Sequence, residues 1–390
     1  MAVERKGTGM LRATIQFSGA GGTSEGARQA GVRVVAAINH SQIAIETHQA
    51  NHPLAHHFRQ AMEECDPDEM PESDLLLTSP CCTNHSVAKG QKQYHQFDLF
   101  GDIDYDPQAE KSRNTMEDVL RFASAKMRAG TPYKVIVVEN VIDVVKWRKY
   151  PGWLASLTAL GYAHQALYWN TQFFTVPQSR DRVYIVFWLQ ELPAPDLEHY
   201  PLAWCDRCHR EVQAVQSWKK AVKWGRYQEQ YLYGCPWCAR EVAPSSVPVR
   251  TVLHLSERGL SLGEKKRKES TRENIAEGIQ RLQGQPFLLG YYNNPLFRHL
   301  DEPVGTMTTV DRWALITPAG RFEDTCLRML SVDEVKGCMG FPESYRLLGT
   351  AKEQIWMLGN AVCPPIMAEI LKRCRAVIAP VKVQEVHDAS

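Results

Sequence analysis

"TIQFSGAGGTSEGARQAG", residues 14–31, begins with β-branched and aromatic residues, passes through Gly19, Gly21 and Gly22, and continues with helix-compatible residues. It reads as a strand, a glycine turn and a helix. The glycines let a ligand approach the backbone closely, and the helix start offers N–H groups with no intrahelical partner. Glycine turns after a first strand bind nucleotides or nucleoside cofactors. This one lacks the GxGxxG order, because Thr23 and Ser24 stand at the third-glycine position, and it lacks the lysine of a P-loop. On the turn alone, a cofactor site and a merely tight turn both stay open.

Outward from the turn, short β-branched runs recur at 13–17, 32–38, 74–78, 133–139, 164–169 and 182–188. Amphipathic stretches near 24–30, 41–50, 113–128 and 152–160 lie between them. That alternation predicts an α/β fold with a doubly wound, mostly parallel sheet. Ligands of such sheets gather at the carboxyl ends of the strands. From Leu192 the pattern breaks at Pro193, Pro195 and Pro201. A segment rich in aromatic and basic residues follows, and residues 263–282 read as a helix. Compact α/β character returns after Asp301 and closes with a helix near Pro364–Arg375. The expected division is 1–192, 193–299, 300–378 and a polar tail, 379–390.

The 390 residues are 44% hydrophobic and 23% charged, as in ordinary soluble proteins, with a net charge of +1. No apolar run approaches the ~18 residues of a membrane span, and no signal peptide is evident, so a cytoplasmic location is expected. The balance is uneven. Residues 205–281 hold 15 Lys/Arg against 9 Asp/Glu, an excess that suits a polyanionic partner. The acidic run Glu63–Asp74 reads as a solvated loop.

Two CxxC pairs, Cys205/Cys208 and Cys235/Cys238, have the spacing of a four-thiolate zinc ribbon. Four thiolates leave no open position, so the zinc would be structural. His209 is adjacent but not expected to be a ligand. Around the pairs lie Trp204, Trp218, Lys219, Lys220, Lys223, Trp224, Arg226, Tyr227, Tyr231, Tyr233 and Trp237. Most of these aromatics are read as the core of a small domain, and several of the basic residues as phosphate contacts.

"VVENV" (137–141), "VPQSRDRVYIV" (176–186), "MLSVDEVKGCMGFPESY" (329–345) and "LGNAVCPPI" (358–366) join the glycine turn in one order along the chain. In that order they resemble the C5-cytosine DNA methyltransferases over roughly 13–190 and 300–375. The middle segment then takes the place of that family's variable target-recognition region, here a smaller zinc-containing domain. The resemblance implies S-adenosylmethionine as cofactor, held by Phe17, Gly19, Gly21 and Gly22 and closed over by Gly359 and Asn360. It implies double-stranded DNA as partner and a flipped cytosine as substrate. It also implies a monomer in a bacterial or phage setting, where a cognate restriction endonuclease would be the further partner.

C5 of cytosine is a poor nucleophile until a thiolate adds to C6. A proton donor at N3 is also needed, and the base must leave the helix. The resemblance gives Glu139 and Asn140 the N3 edge, Arg182 the base carbonyl, and Arg180 a supporting place, with Gln178 orienting the loop. A carboxylate closing an apolar strand should have a raised pKa. In "SPCCTNHS" (79–86), Pro80 alone would favour Cys81 as the nucleophile. The family's spacing, which Ser86 four residues after Cys82 and Asp74 eight before it both match, implies Cys82 as the nucleophile. Two positions depart from the family's pattern: Asn39 stands where an acid holds the ribose, and Ala61 where an Asp meets the adenine, with Glu63 as a substitute. Those departures motivate a second reading, a catalytically retired DNA-binding or regulatory subunit. An RNA cytosine-5 methyltransferase is the third.

Overall fold

In the computed structural model, which describes residues 10–80 and 115–378, the apolar runs of the first half form one seven-stranded sheet. Its strands are β1 (Arg12–Gln16), β2 (Arg33–Ile38), β3 (His56–Phe58), β4 (Leu75–Thr78), β5 (Val135–Asn140), β6 (Tyr162–Asn170) and β7 (Asp181–Leu189). They lie in the order β3-β2-β1-β4-β5-β7-β6. Only β7 runs against its neighbours, so β6 is aligned with the rest. Leu75–Leu77 and Val135–Val138 are buried on both faces, which is why they read as unbroken apolar runs. β3 escaped the sequence reading because "HHF" is three residues long and carries no alternation.

Helices cover both faces. On one, α1 (Gly22–Gln29) packs beside the C-terminal helix over Ala13, Ile15, Leu77 and Val137. On the other, Phe122, Trp153 and Leu157 cover Leu76, Ile136 and Val138. These three belong to α3 (Glu117–Arg128) and α4 (Tyr150–Ala159); α2 (Gln42–Asn51) follows β2. The sheet is therefore doubly wound, and β1 lies between β2 and β4, where the winding reverses.

The middle of the chain holds two smaller units. The first pairs β8 (Leu202–Cys205) with β9 (Arg210–Gln213), and β10 (Val215–Trp218) with β11 (Tyr231–Gly234). The second is an antiparallel sheet of β12 (Leu260–Ser261), β13 (Phe287–Gly290), β14 (Leu296–His299), β15 (Trp313–Thr317) and β16 (Cys326–Met329). Ile275 of α5 (Glu269–Arg281) packs on its Phe287 and Leu289. This sheet draws strands from both sides of residue 300, so a boundary placed there falls between β14 and β15.

Three helices close the described part of the chain: α6 (Val332–Cys338), α7 (Ala351–Asn360) and α8 (Pro364–Ile378), the last returning to α1, and the expected polar tail, 379–390, lies outside the described residues. Glu334 of α6, fully buried, accepts both guanidinium nitrogens of Arg328 on β16 at 2.6 and 2.7 Å, and the His254 N–H at 2.7 Å. Charge-assisted bidentate bonding of this kind fixes the smaller sheet to α6.

Candidate active site

The glycine turn leaves the carboxyl end of β1 at the winding reversal. Phe17 has φ 55°, Gly19 49° and Gly21 88°, so three of its residues are left-handed. For a bulky residue such as Phe17 that is rare and costs about 1–3 kcal/mol, and such strain collects at functional sites. Gly21 and Gly22 have a further reason to be glycine. A β-carbon at Gly21 would strike the Tyr345 hydroxyl, and one at Gly22 the Val362 carbonyl. The C-terminal motif is thereby pressed onto the turn, and the Tyr345 hydroxyl donates to the Ala20 carbonyl at 2.7 Å. Gly359 fits against the Thr308 backbone in the same manner. Asn360 ends α7 with its side chain exposed.

Several buried polar atoms around this turn have no partner among the described residues. They are both amide atoms of Gln16, the Ser18 hydroxyl and the Thr78 hydroxyl. Gln16 and Thr78 close the adjacent strands β1 and β4 and are register partners. Leaving such groups unsatisfied costs about 1–3 kcal/mol each, so the site suits a polar ligand. At the end of β2, the Asn39 Oδ1 accepts the Ser41 N–H at 2.9 Å, which caps the approach to α2. Ala61 and Glu63 lie at a short 3-10 turn that begins at Met62.

The catalytic candidates meet at the same edge of the sheet. Glu139 is 7% exposed and forms an ion pair with Arg182, Nε to Oε1 at 3.1 Å. Burial pushes its carboxyl pKa up, against the pull of the Arg182 and Arg180 charges. Arg180 is buried as well. It donates to the Met307 carbonyl at 2.8 Å and the Gly359 carbonyl at 2.9 Å, joining the strand end to the C-terminal motif. Gln178 accepts the Met307 N–H at 2.7 Å and donates to the Cys338 carbonyl at 3.1 Å. Asn140 donates to the Pro80 carbonyl at 3.3 Å. The "EN" pair therefore adjoins the residue that leads into Cys81 and Cys82. Both cysteines lie outside the described residues.

Sequence reasoning did not find the histidine chain beneath the turn. His48 Nε2 hydrogen-bonds the Ser24 hydroxyl at 2.7 Å, and its Nδ1 meets His57 Nε2 at 2.8 Å. Burial holds the pKa of His48 well below the usual histidine value. The spacing of these residues gave no signal, because β3 brings His57 back from a neighbouring strand.

The four sulfurs of Cys205, Cys208, Cys235 and Cys238 all lie within 4.8 Å of one another. Cys205–Cys238 and Cys208–Cys235 are 3.6 and 3.8 Å apart. Zinc–sulfur bonds of about 2.3 Å give a tetrahedron with edges of about 3.8 Å, so the cluster fits zinc. After each pair, one residue turns left-handed: His209 at φ 49° and Ala239 at 58°. The surrounding aromatics divide. Tyr231 and Tyr233 are buried and share a core with Trp169 of β6 and with Phe173 and Phe174 of the turn that follows it. Trp204 and Trp237 are 57% and 69% exposed. No helix among the described residues is long and apolar enough to cross a membrane.

Known proteins bear on this geometry. The chain is 23% identical to the Type II methyltransferase M.FnuDI of Fusobacterium nucleatum over 380 residues, 93% of each protein. In fold it is similar to the Dnmt2 methyltransferase of S. pombe, with a TM-score of 0.56, 16% identity, and coverage of 93% of this chain and 98% of that one. It is also similar to the Entamoeba histolytica methyltransferase EhMeth, with a TM-score of 0.56, 14% identity, and coverage of 94% and 98%. The profile of the C-5 cytosine-specific DNA methylases matches residues 16–376, nearly the whole described structure. The chain belongs to the C-5 cytosine-specific DNA methylase family.

Proposed function

We propose that this protein methylates C5 of a flipped cytosine in a specific duplex DNA sequence through a covalent bond from Cys82 to C6. The observation that carries the reading is the buried Glu139–Arg182 pair beside Asn140, whose side chain reaches Pro80. S-adenosylmethionine supplies the methyl group. Phe17, Gly19, Gly21, Gly22, Asn39, Gly359 and Asn360 would hold it, together with the unpartnered polar atoms of Gln16, Ser18 and Thr78.

The residues divide the work as follows. Burial keeps Glu139 in its protonated form to higher pH than an exposed carboxyl. It gives that proton to N3 as the Cys82 sulfur adds to C6, which makes C5 nucleophilic. Arg182 holds the base carbonyl, and its charge stabilises Glu139 once the proton has left. Arg180 keeps the strand end against the C-terminal motif. C5 then takes the methyl group, its own proton passes to solvent, and the C6–S bond to Cys82 breaks as the N3 proton returns to Glu139, which releases the product. The bacterial relative is named a type II methyltransferase, and a restriction–modification setting with a nuclease partner is part of the proposal. Zinc at the four cysteines is structural in this reading, and the basic residues of the middle segment contact phosphates.

Incubation with tritiated S-adenosylmethionine and DNA of diverse sequence should label the DNA. Cys82→Ser should abolish both label and adduct formation with 5-fluorocytosine DNA, whereas Cys81→Ser should keep the adduct. Label appearing only in RNA would replace the DNA reading. No label in either nucleic acid would favour the retired subunit. An adduct that survives Cys82→Ser would move the nucleophile to Cys81.

A further inference from the structure

The four-cysteine unit wraps the end of the edge strand β6 and touches both faces of the large sheet. On one face Tyr231 and Tyr233 join the core around Trp169 and Phe173. On the other, Trp218 and Trp224 pack against the cluster of Tyr168 and Val183. The loop between β10 and β11, residues 219–230, extends from there to the catalytic edge. Trp224 Nε1 donates to the Ile142 carbonyl at 3.1 Å, two residues beyond Asn140. Arg226 pairs with Asp143 at 2.7 Å. The Tyr227 N–H donates to Asp181 Oδ1 at 3.0 Å, and Asp181 stands between Arg180 and Arg182. Lys146 pairs with Asp143 at 2.7 Å and lies over the Trp224 ring, 4.6 Å from its centre.

Side chains alternate along a strand, so Asp181 projects from the face opposite to Arg182. Glu139 shares its face with Val135 and Val137, and Arg182 shares the same one with Tyr184 and Val186. The loop therefore grips the backbone on both sides of the catalytic pair from behind. It acts on the turn after Asn140 and on the residue before Arg182. β11 then runs from the loop directly into Cys235, which ties this grip to the cysteine cluster.

We propose that the loop 219–230 is a positioning element of the active site, in which Arg226, the Trp224 indole and the Tyr227 N–H set the placement of Glu139 and Arg182. The four-cysteine unit then serves the chemistry as well as any contact with the substrate. The catalytic meaning rests on the methyltransferase reading above; the mechanical part does not.

Hydrogen exchange on the metal-loaded full chain tests the mechanical part. In Arg226→Ala, the amides of residues 141–147 and 180–183 should exchange about tenfold faster than in the wild type, with residues 12–38 unchanged. Arg226→Lys should restore part of the protection. If Arg226→Ala does not fold, Asp143→Asn removes the same ion pair from the other side and should give the same pattern. Unchanged exchange at 141–147 overturns the proposal. Kinetics test the catalytic part. Arg226→Ala should lower kcat by about 10- to 100-fold at saturating DNA, with KM for the methyl donor unchanged. A wild-type kcat despite faster exchange also overturns the positioning role. If the wild type itself transfers no methyl group, the functional reading fails, and the exchange experiment alone decides whether the loop holds the edge.

Discussion

The glycine turn and the four-cysteine unit flank one site and are held by opposite means. The turn rises from a sheet whose central strands are buried on both faces, and backbone fit against the C-terminal motif fixes it. The four-cysteine unit has two short strand pairs and a thin core completed by Trp169, Phe173 and Phe174 of its neighbour. Burial rises with domain size, so a small unit needs a metal or a borrowed wall to stay folded. The sheet edge that carries Glu139 and Arg182 is thus anchored on one side by bulk packing and on the other by a few specific bonds.

Removal of a metal ligand should separate the two sides most sharply. Zinc contributes about 10–16 kcal/mol to small zinc-dependent units. Cys235→Ser should reduce the metal content from one zinc per chain to none, and residues 202–245 should become protease-sensitive while the large sheet keeps its protection. Elemental analysis with limited proteolysis reads both. A wild-type protein that purifies without metal and resists cleavage there would remove zinc from the account.

A smaller effect is expected on the other side. Gly22→Ala places a methyl group against the Val362 carbonyl, a backbone atom that cannot swing away. Overpacking of this kind costs about 1–3 kcal/mol. The thermal midpoint should fall while zinc content is unchanged. An unaltered midpoint would show that the turn and the C-terminal motif yield more easily than their packing indicates.

Acid acts on both sides at once. Burial depresses the pKa of His52 to about 4 and that of His48 well below 6.5, near the glycine turn. His199, stacked on Phe174 with centroids 4.0 Å apart, is likewise depressed to about 4. In each case the unfolded chain takes up a proton that the folded one refuses. The stability that these three histidines contribute is therefore full above about pH 6.5 and is lost as pH falls toward 4. Thermal melts between pH 7 and 5 should show a falling midpoint, and His199→Phe should flatten the slope slightly. A slope identical in the wild type and His199→Phe would contradict a buried neutral His199.

The two sides also differ in how much of them can be read from residues alone. Strand runs such as Leu75–Leu77 and Val135–Val138 are legible because burial on both faces demands continuous apolar sequence. The CxxC pairs are legible because tetrahedral thiolate geometry demands that spacing. β3 is not legible, because three edge residues need no pattern. The histidine chain is not legible either, because Ser24, His48 and His57 lie on three different elements.

Residue patterns alone specify the doubly wound sheet, the cysteine cluster and the set of polar residues available for chemistry. Each follows from a local rule of periodicity or spacing. Tertiary structure decided which of those residues meet. It paired Glu139 with Arg182, tied Arg180 to Gly359, and set Val362 against Gly22. It also carried Arg226 to Asp143, 83 residues away. Such partners are joined by strand order and by the wrapping of one unit around another's edge, which no local pattern encodes.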